Sequence, residues 1–563
     1  MNVTKIVFLA LIIFIALNVK SQNATEAGKT VKKLQPATDY DRSALTMILL
    51  SYEDYKYAQE VQTEFTGIEV PSKFDDNTIN LQILKVDGGR PKTVGEISKF
   101  VLNSLKSNKV GNAIIAKWYN CQSDGSFNMD LIKERGLYNA TDLDVVNASV
   151  KEKGQDNVKD AGEKLIGNSY VLVMDYSNVK TCDEAYDAAL VTEANRGYHG
   201  WVGSYSAYLF KLNFNDSVSS VFYNDLWTDN DSKSEIKAER KAKFESTHFP
   251  ISYVSCVQNN LSSQQPNPGT NAAMFVVQKP DEQLFNEMIA IAVTDAEYKI
   301  SKNLDAFQVK TTVFSTHPIA AKIGKKEGLK LDNRFFIYEN KQKDNGDVKA
   351  VRKAVVRASS HIIDNRTNST GQSNQLTKFY QIGGKRVDEG MLLKQKNDKG
   401  FGFFATYSSG EIGGYGLGLE YLTRIATSLK IIGDIAFEDK NYILINGADD
   451  LLFMRYSAGV SKSIYFARNF QLEPSFSFGR EEAADGSTNS DGSSFTFNSY
   501  YLKPGLKFGA NIRYNIQLIA TANYYSFIGN LNDSNKKSYS FGWSDFFKDR
   551  KGLSLDFGLR VQF

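Results

Sequence analysis

The amino-acid sequence predicts a multidomain protein made of an α/β domain, a small all-β module and a C-terminal eight-stranded antiparallel transmembrane β-barrel. Three observations support this prediction. The N-terminus holds a short apolar run, the last third alternates apolar and polar residues in repeated segments, and the links between those segments alternate between short and long. A period of two is the pattern of a strand with one apolar face, and its recurrence with sorted links predicts a membrane barrel.

The first 21 residues are predicted to be a signal peptide. Lys5 precedes an apolar run from Ile6 to Leu17, and Val19 and Ser21 are small enough for a cleavage site before Gln22. A run of about a dozen residues is too short for a bilayer core of roughly 30 Å, so a retained anchor is the less favoured alternative. After Gln22, no segment reaches about 18 consecutive apolar residues, and the mature chain is therefore predicted to have no transmembrane helix.

Eight segments of the last third alternate in this way. The closing segment is unbroken, with apolar residues at every second position from Leu553 to Phe563. The other seven cover residues 401–407, 415–421, 429–437, 454–461, 470–478, 500–509 and 514–524. Short links at 422–427, 461–469 and 510–513 alternate with longer ones at 438–452, 480–498 and 527–552, and 408–413 is the one short link on the long side. A soluble antiparallel sandwich is the alternative, but its turns would not sort by length.

The inward face of this barrel is predicted to be charged. An eight-stranded barrel has an interior that its own side chains fill. Both signs of charge occur on that face, which predicts a paired internal network and an anchor instead of an open pore. The predicted members of the network are Lys430, Asp434, Arg455, Glu473, Lys503, Lys507, Asp556 and Arg560.

The segment Gly552 to Phe563 resembles the closing strand of Gram-negative outer-membrane β-barrel proteins, which alternates in the same way and ends in Phe. The resemblance implies outer-membrane lipid around the barrel and recognition by the barrel-assembly machinery. The implied assembly signal consists of Phe557, Leu559, Val561 and Phe563. By strand count, residues 398–563 resemble the small OmpA/OmpX-like barrels, a resemblance of architecture.

Residues 22–43 are predicted to be a linker and residues 44–328 an α/β domain. Apolar runs at 45–50, 80–86, 113–119, 169–174 and 307–314 predict strands, and patterns at 93–105, 129–137, 158–166 and 282–303 predict helices. Short strands between polar turns predict a small all-β module over residues 329–397. This order resembles periplasmic proteins of the curli-secretion and flagellar-assembly lipoprotein class, an analogy of fold alone.

The sequence gives no catalytic, cofactor or metal site. His199 lies between glycines in Arg196–Trp201, which predicts a turn or a close backbone approach, and packing beside Trp201 is favoured over a general base. The other histidines lack metal-ligand spacing, and the acids of 229–231 and 485–491 lack the EF-hand pattern. One disulfide is allowed among three cysteines in an exported chain, with Cys121–Cys182 as one candidate pairing because spacing cannot fix connectivity.

We therefore expect a non-enzymatic protein anchored in the outer membrane, whose periplasmic N-terminal domain binds an envelope protein or polymer. Nucleic acid is not expected as a partner, because 67 basic and 64 acidic residues give a net charge of only +3. A periplasmic enzyme tethered by the barrel and a surface-binding protein acting through its outer loops are the alternatives. The last loop is aromatic, which fits surface binding and fits an aromatic girdle equally well. Its aromatic residues are Tyr539, Phe541, Trp543, Phe546 and Phe547.

Overall fold

The structure is a computed structural model, and it describes residues 42–86, 93–132, 164–192, 196–342, 348–365, 376–396, 398–444, 447–488, 494–533 and 537–563. The predicted signal peptide and nearly all of the predicted linker lie outside the described residues. So do residues 489–491 of the acidic segment 485–491. Three separate β-sheets follow one another along the chain. Across the described ranges, no helix is both long and apolar enough to span a membrane.

The first sheet forms the middle layer of an α/β domain. Its strand order is β2-β1-β4-β5-β6, with β3 also paired to β1. The strands are β1 Ala44–Tyr52, β2 Asp75–Asp76, β3 Ile83–Val86, β4 Ser169–Thr181, β5 Tyr198–Leu212 and β6 Ile251–Pro266. β1 runs parallel to β2, β3 and β4, whereas β4, β5 and β6 are antiparallel neighbours. β1 is buried along its whole length, which explains why Thr46 and Ser51 are its only polar residues.

Helices cover both faces of this sheet. Alternate residues of β1 divide between two cores, because successive side chains of a strand point to opposite faces. Ile48 packs with the helices Val94–Ser107 and Val110–Trp118, and Leu49 packs with the helices Ala58–Thr66 and Asp281–Asn303. Shorter helices at Cys182–Ala188, Asp216–Val221 and Ser234–Ser246 complete the domain with a π-helical turn at Phe222–Leu226.

Several predictions for this domain are confirmed and others are wrong. The helices at 93–105 and 282–303 and the strands at 45–50 and 169–174 are present. The predicted strand at 113–119 is wrong, because this segment is the last part of the helix Val110–Trp118. An apolar run of seven residues is too short for its periodicity to separate strand from helix. The run 307–314 contributes only a three-residue strand, and the antiparallel pair of β5 and β6 was not predicted.

The glycine-flanked His199 segment is the start of strand β5 and not a turn. The close backbone approach predicted there is present. Gly200 has a φ of +114°, and a Cβ at this position would lie 2.4 Å from the carbonyl oxygen of Ser263 on β6. Of the predicted helices at 129–137 and 158–166, only residues 129–132 and 164–166 fall within the described part, and residues 130–132 and 164–166 are helical.

The predicted Cys121–Cys182 pairing is wrong, since Cys121, Cys182 and Cys256 are all free thiols. Cys121 follows the helix Val110–Trp118 and packs against the core on that face. Cys182 begins the helix after β4, and its sulfur lies 3.5 Å from Oε1 of Gln264. Different neighbours surround the two sulfur atoms, and the spacing of the cysteines in the sequence carries no information about those neighbours.

Alkylation measures the free thiols directly. We expect N-ethylmaleimide to add three labels per chain in denaturant without reductant, read by intact mass. In the native protein at about pH 8 the labelling of Cys182 and Cys256 should be slow, because burial raises the pKa of both thiols to about 11. A single label on the denatured, unreduced chain would show that two cysteines form a disulfide.

The second sheet is the all-β module. It is antiparallel, with the strand order β7-β13-β10-β11-β12-β9-β8. Its strands are β7 Lys310–Thr312, β8 Ser315–Thr316, β9 Ile319–Ala321, β10 Arg334–Gln342, β11 Val348–Ala358, β12 Thr377–Gly384 and β13 Leu392–Gln395. Phe335, Val356 and Phe379 are central to its core. The module was predicted to begin at residue 329. Strands β7, β8 and β9 lie before that residue and form the two edges of the same sheet.

The third sheet closes on itself. β14 pairs with β23 and β17 pairs with β19, which makes a closed antiparallel barrel of the eight strands β14, β15, β16, β17, β19, β20, β21 and β23. The strands are β14 Phe401–Gly410, β15 Gly414–Leu422, β16 Leu429–Leu444, β17 Gly447–Lys462, β18 Ile464–Ala467, β19 Phe470–Thr488, β20 Ser494–Asn511, β21 Ile516–Asp533, β22 Ser538–Gly542 and β23 Gly552–Gln562. β18 pairs with β19, and β22 pairs with β21.

The eight predicted barrel strands are all present, but seven of the predicted segments are shorter than the strands of the structure. β16 and β17 stay paired as far as Leu444 and Gly447, and β19 and β20 as far as Thr488 and Ser494. Most of the predicted long loops are therefore continuations of the hairpins. The apolar alternation stops before the strands do, because polar strand pairs beyond the apolar band still form their backbone hydrogen bonds.

Candidate functional site: a barrel filled and covered at both ends

The outer wall of the barrel is apolar. Large apolar side chains with exposed fractions of 36–55% cover it. They are Phe401, Phe403, Tyr407, Tyr415, Leu419, Tyr421, Ile431, Tyr456, Val460, Phe470, Phe476, Phe478, Tyr500, Leu506, Phe508, Leu518, Tyr524, Leu553, Leu555, Phe557 and Leu559. Soluble monomers rarely expose apolar patches larger than a few hundred Å². A closed sheet with this surface matches the wall of a transmembrane barrel, where no strand edge meets lipid.

Aromatic side chains pair toward both ends of this apolar wall. Near the short turns, the rings of Phe470 and Phe508 stack with centroids 5.7 Å apart. Near the long hairpins, the rings of Phe478 and Tyr500 stack at 5.6 Å. Two aromatic belts are typical of membrane barrels, whose interfaces favour aromatic rings.

The inside of the barrel holds all eight charged residues that the alternation placed there. Lys430, Arg455, Glu473, Lys503, Lys507 and Arg560 are buried, and Asp434 and Asp556 are mostly buried. Along β16, the inward residues Lys430, Asp434 and Glu438 follow at intervals of four, about 13 Å apart. Each of these three residues belongs to a different cluster of charges.

The first cluster lies near the short turns and centres on Glu473. This fully buried carboxylate accepts from Arg560 Nη1 at 2.8 Å, Lys430 Nζ at 3.0 Å and Lys507 Nζ at 3.2 Å. Glu420 is the second acid of the cluster, 3.0 Å from Arg560 Nη1. Two carboxylates thus hold three cations inside the barrel.

The second cluster lies at mid-height. Lys503 Nζ donates to both oxygens of Asp434, at 2.7 and 2.8 Å, and Ser457 Oγ donates to the same carboxylate at 2.8 Å. Asp556 accepts from Asn523 Nδ2 at 2.5 Å and from a serine hydroxyl on its own strand. The charges of this layer therefore also have partners within the barrel.

The third cluster lies toward the long hairpins. Arg455 Nη1 contacts Glu438 at 3.2 Å and Glu481 at 3.3 Å. Arg550, from the segment between β22 and β23, reaches into the barrel to donate to both acids, with Nη1 2.8 Å from Glu438. Its guanidinium also lies 3.7 Å from the ring centroid of Phe453. A residue outside the strands, two positions before β23, thus completes this layer.

An apolar cap covers the long-hairpin end. Trp543 and Phe547 are fully buried, with ring centroids 4.7 Å apart, and they pack on Leu451, Phe453 and Leu531 from the hairpins. Phe546 and Tyr539 pack against the same cluster. The aromatic residues of this segment were predicted to be a binding surface or a girdle. Two of the five are instead in the buried core of a lid over the barrel mouth, and two more pack against that core.

The all-β module covers the opposite end. Asp398, which lies between β13 and β14, is buried among three arginines. It pairs with Arg357 of β11, lies 3.5 Å from Arg334 of β10 and accepts from Arg424 Nη2 of the β15–β16 turn at 3.0 Å. The module and the barrel are therefore tied together through one carboxylate.

A second contact reinforces this junction. Asp332 accepts from the hydroxyl of Tyr380 on β12 at 2.6 Å and from the backbone N–H of Ser428 in the barrel at 2.9 Å. Burial would raise the pKa of Asp398, but the guanidinium groups of Arg357 and Arg334 hold that pKa below its ordinary value. For Asp332, burial has the largest effect and raises the pKa of the carboxyl above its ordinary value. The pKa values of these two junction carboxyls are thus shifted in opposite directions.

Sequence reasoning missed several members of the interior network. Glu420 lies on the inward face of β15, and the alternation of that strand was enough to predict it as a member of the network. Glu438, Glu481 and Arg550 fall in segments that were predicted to be loops, so the alternation could not assign them an inward face. Asp398 also gave no signal, because it precedes the first strand of the barrel.

The closing strand presents the residues of the predicted assembly signal in two ways. Phe557 and Leu559 point outward into the apolar wall, whereas Val561 is buried. The ring of Phe563 packs edge-on against Phe403 of the neighbouring strand, with centroids 5.8 Å apart. Recognition of these residues by an assembly machinery stays a prediction.

His199 of the α/β domain has an acid partner that no motif indicated. Its Nδ1 lies 2.8 Å from Oδ1 of Asp281 and its Nε2 lies 3.2 Å from Oε1 of Gln278. Trp201 Nε1 donates to the carbonyl oxygen of Asp281 at 2.9 Å. Both ring nitrogens are engaged, so the imidazole fastens β5 to the start of the long helix. Among the described residues, no group of three or more His, Cys, Asp and Glu side chains could hold a metal ion.

No protein-family model matches this chain, and no curated protein matches it in sequence. Solved structures similar to it include the N-terminal β-barrel domain of OprF from Pseudomonas aeruginosa, at 11% identity over 30% of this chain and 100% of that one, with a TM-score of 0.20. The neisserial surface protein A is similar at 15% identity over 30% and 100%, with a TM-score of 0.21. A major outer membrane protein of Thermus thermophilus is similar at 13% over 29% and 99%, with a TM-score of 0.21.

The fold assignment rests on the molecule itself. The sheet is closed, its outer wall is apolar with aromatic pairs toward both ends, and its interior is charged and paired. Residues 401–562 form an eight-stranded β-barrel of the outer-membrane type.

Proposed function

We propose that this chain is an outer-membrane protein of the cell envelope whose barrel is a sealed anchor. In this proposal the N-terminal domain lies in the periplasm, binds an envelope protein or polymer, and is not an enzyme. The observation that supports the anchor is the filled interior. Three layers of paired charges occupy it, the Trp543 lid covers one mouth and the all-β module covers the other.

The position of the all-β module supports a periplasmic N-terminal domain. Barrels of this type place their short turns in the periplasm and their longer connections outside. The module contacts the barrel through Arg424, Ser428 and Asn469, which lie on or beside short turns. The α/β domain precedes the module in the chain, so both belong on the side of the short turns.

One edge of the α/β sheet supports a binding role. β6 is 16 residues long, and within the described part of the chain β5 is its sole strand neighbour. An unpaired strand edge presents backbone N–H and C=O groups that can accept a strand from a partner. The side chains of Tyr253 on β6 and Tyr198 on β5 are exposed near this edge.

Electrical recording tests whether the anchor is sealed. We expect the purified full-length protein to give no discrete conductance steps in a planar lipid bilayer, while an open porin at the same protein-to-lipid ratio gives them. The physical reason is that ions would have to pass three layers of buried, paired charges. Reproducible steps from the wild-type protein would contradict the sealed anchor.

Protease protection tests the orientation, and binding assays test the role. Protease added to intact cells should leave the N-terminal domain whole, and it should digest the domain once the outer membrane is permeabilised. Digestion in intact cells would contradict the periplasmic assignment.

The full-length protein in mild detergent should also co-sediment with purified peptidoglycan or cross-link to an envelope protein. Failure of both assays would remove the binding role and leave only the anchor.

A charge on the apolar wall tests the contact with lipid. Leu506→Arg, at an outward position of β20 with 47% of its surface exposed, should destabilise the barrel in vesicles by about 2–4 kcal/mol, because lipid solvates a guanidinium poorly. Urea titration of the folded fraction measures this loss. Leu190→Arg, at a 91% exposed position of the α/β domain, is the matched control and should change stability by less than about 0.5 kcal/mol. Equal, small effects would mean that water surrounds the barrel.

A further inference from the structure

A cleft of about 590 Å³ lies where the all-β module meets the short turns of the barrel. Strands β11 and β12 form one wall, and the turn between β20 and β21 forms the other. Two asparagines of the turns connect these walls: Asn469 Oδ1 accepts from the backbone N–H of Gly384 at 2.6 Å, and Asn511 Nδ2 donates to the carbonyl oxygen of Ile382. The cleft is thus built by contacts between two parts of the chain. Its volume falls in the range of small-ligand sites, about 300–1,000 Å³.

The cleft is cationic. Arg352, Lys353, Lys385 and Arg513 line it, and none of the described lining residues is an acid. Lys353 is paired outside the lining, with its Nζ 2.9 Å from Glu339. Arg352 is fixed in position, because its guanidinium lies 4.2 Å from the ring centroid of Tyr514 and 4.9 Å from that of Phe336. A guanidinium held against aromatic rings keeps its fork of N–H donors free for an anion, and phosphate suits that geometry.

The apolar wall of the barrel continues to the rim of this cleft. Ile512 lines the cleft and is 58% exposed, and the exposed ring of Phe508 lies four residues earlier on the same strand end. Phe508 belongs to the aromatic belt near the short turns. In a bilayer, the cleft would therefore lie at the level of the lipid headgroups, with apolar wall for acyl chains directly beside it.

We propose that this cleft binds the phosphate-bearing headgroup of an anionic phospholipid from the leaflet on the short-turn side. Arg352 and Arg513 supply guanidinium donors to the phosphate, Lys385 adds a third charge, and an acyl chain runs along Ile512 and Phe508. The lipid would then bridge the barrel and the module. This inference rests on the proposed function in one respect only, that the barrel stands in a membrane.

Native mass spectrometry of the full-length protein in non-ionic detergent tests the proposal. Phosphatidylglycerol and phosphatidylcholine with identical acyl chains are the probes. The wild-type protein should bind the first phosphatidylglycerol about tenfold more tightly than phosphatidylcholine, which corresponds to about 1.4 kcal/mol. The variant Arg352→Gln, Lys385→Gln, Arg513→Gln should lose this preference.

Two further variants keep the test decisive. Lys385→Gln with Arg513→Gln leaves the Arg352–Tyr514 contact intact and should lose most of the preference even if the triple variant folds poorly. Lys330→Gln, Lys349→Gln, Lys378→Gln removes three exposed charges of the same module outside the cleft and should keep the preference. Equal binding of the two lipids by the wild type, or equal loss in cleft and control variants, would overturn the proposal.

Two more readouts separate the sources of failure. Displacement of the lipid by millimolar inorganic phosphate would mark the cleft as a site for soluble anions and overturn the lipid assignment; retention of the lipid supports it. The change in SDS gel mobility on boiling reports the folded barrel independently. A preparation that shows this change without lipid preference would overturn the cleft proposal alone, whereas one that never folds into lipid would overturn the proposed function.

Discussion

Replacing Glu473 by glutamine is expected to destabilise the barrel by about 3–5 kcal/mol, because it leaves buried cations without their central counter-ion. Glu473 is fully buried and contacts Arg560, Lys430 and Lys507 inside the barrel. Glu420 alone would remain to balance three cations. The measurement is the fraction of protein that keeps the folded gel mobility as urea is increased in detergent or vesicles.

A carboxylate on the outer side of the same strand is the matched control. Glu482 on β19 pairs with Arg480 at 2.8 Å at a partly exposed position. Glu482→Gln should cost less than about 1 kcal/mol, since exposed ion pairs contribute little. The double variant Glu473→Gln, Lys507→Met should recover part of the loss, because it removes one of the uncompensated cations. Similar losses at Glu473 and Glu482 would contradict a tightly paired interior.

Replacing Asp398 by asparagine should loosen the all-β module from the barrel. The carboxylate is buried and lies against Arg357, Arg334 and Arg424, so its loss leaves guanidinium groups at the junction without their acid. We expect a loss of about 3–5 kcal/mol at neutral pH and rapid protease cleavage between the two parts. Asp388→Asn, at an exposed pair with Arg386, is the control and should leave both measurements nearly unchanged.

The same residue gives a defined dependence on pH. The pKa of Asp398 is lower in the folded protein than in the unfolded chain, so its contribution to stability is present above the unfolded pKa and is lost as the pH falls through the folded pKa. The stability difference between wild type and Asp398→Asn should therefore be constant from about pH 7 to 5 and shrink below about pH 4. A difference that stays constant into the acid range would mean that the carboxylate is not charged in the folded protein.

The barrel was predictable from sequence because two independent patterns coincide in it: the alternation of apolar and polar residues, and the alternation of short and long links. Alternation fixes which residues of a strand face inward, and Lys430, Asp434, Arg455 and Glu473 all followed that rule. The order of short and long links fixes an even number of strands. Both signals can be recognised in the sequence without knowing which residues pair across the sheet.

The parts that were missed depend on long-range contacts. Arg550 enters the barrel from a segment that reads as a polar loop, and Asp281 meets His199 from 82 residues away. The run 113–119 was assigned to a strand because a short apolar run does not show whether its period is that of a helix or of a strand. The lid residues Trp543 and Phe547 were ambiguous, since an aromatic ring looks the same in a sequence whether it packs inward or outward.

The change in gel mobility on boiling, measured on outer-membrane fractions, tests the membrane barrel most directly. A folded barrel resists unboiled SDS, because every strand is hydrogen-bonded to two neighbours and no edge is open to attack. We predict that the protein resides in the outer-membrane fraction and migrates differently before and after boiling. A protein that is found in the soluble periplasmic fraction and shows one mobility under both conditions would contradict the barrel and the anchor that it forms.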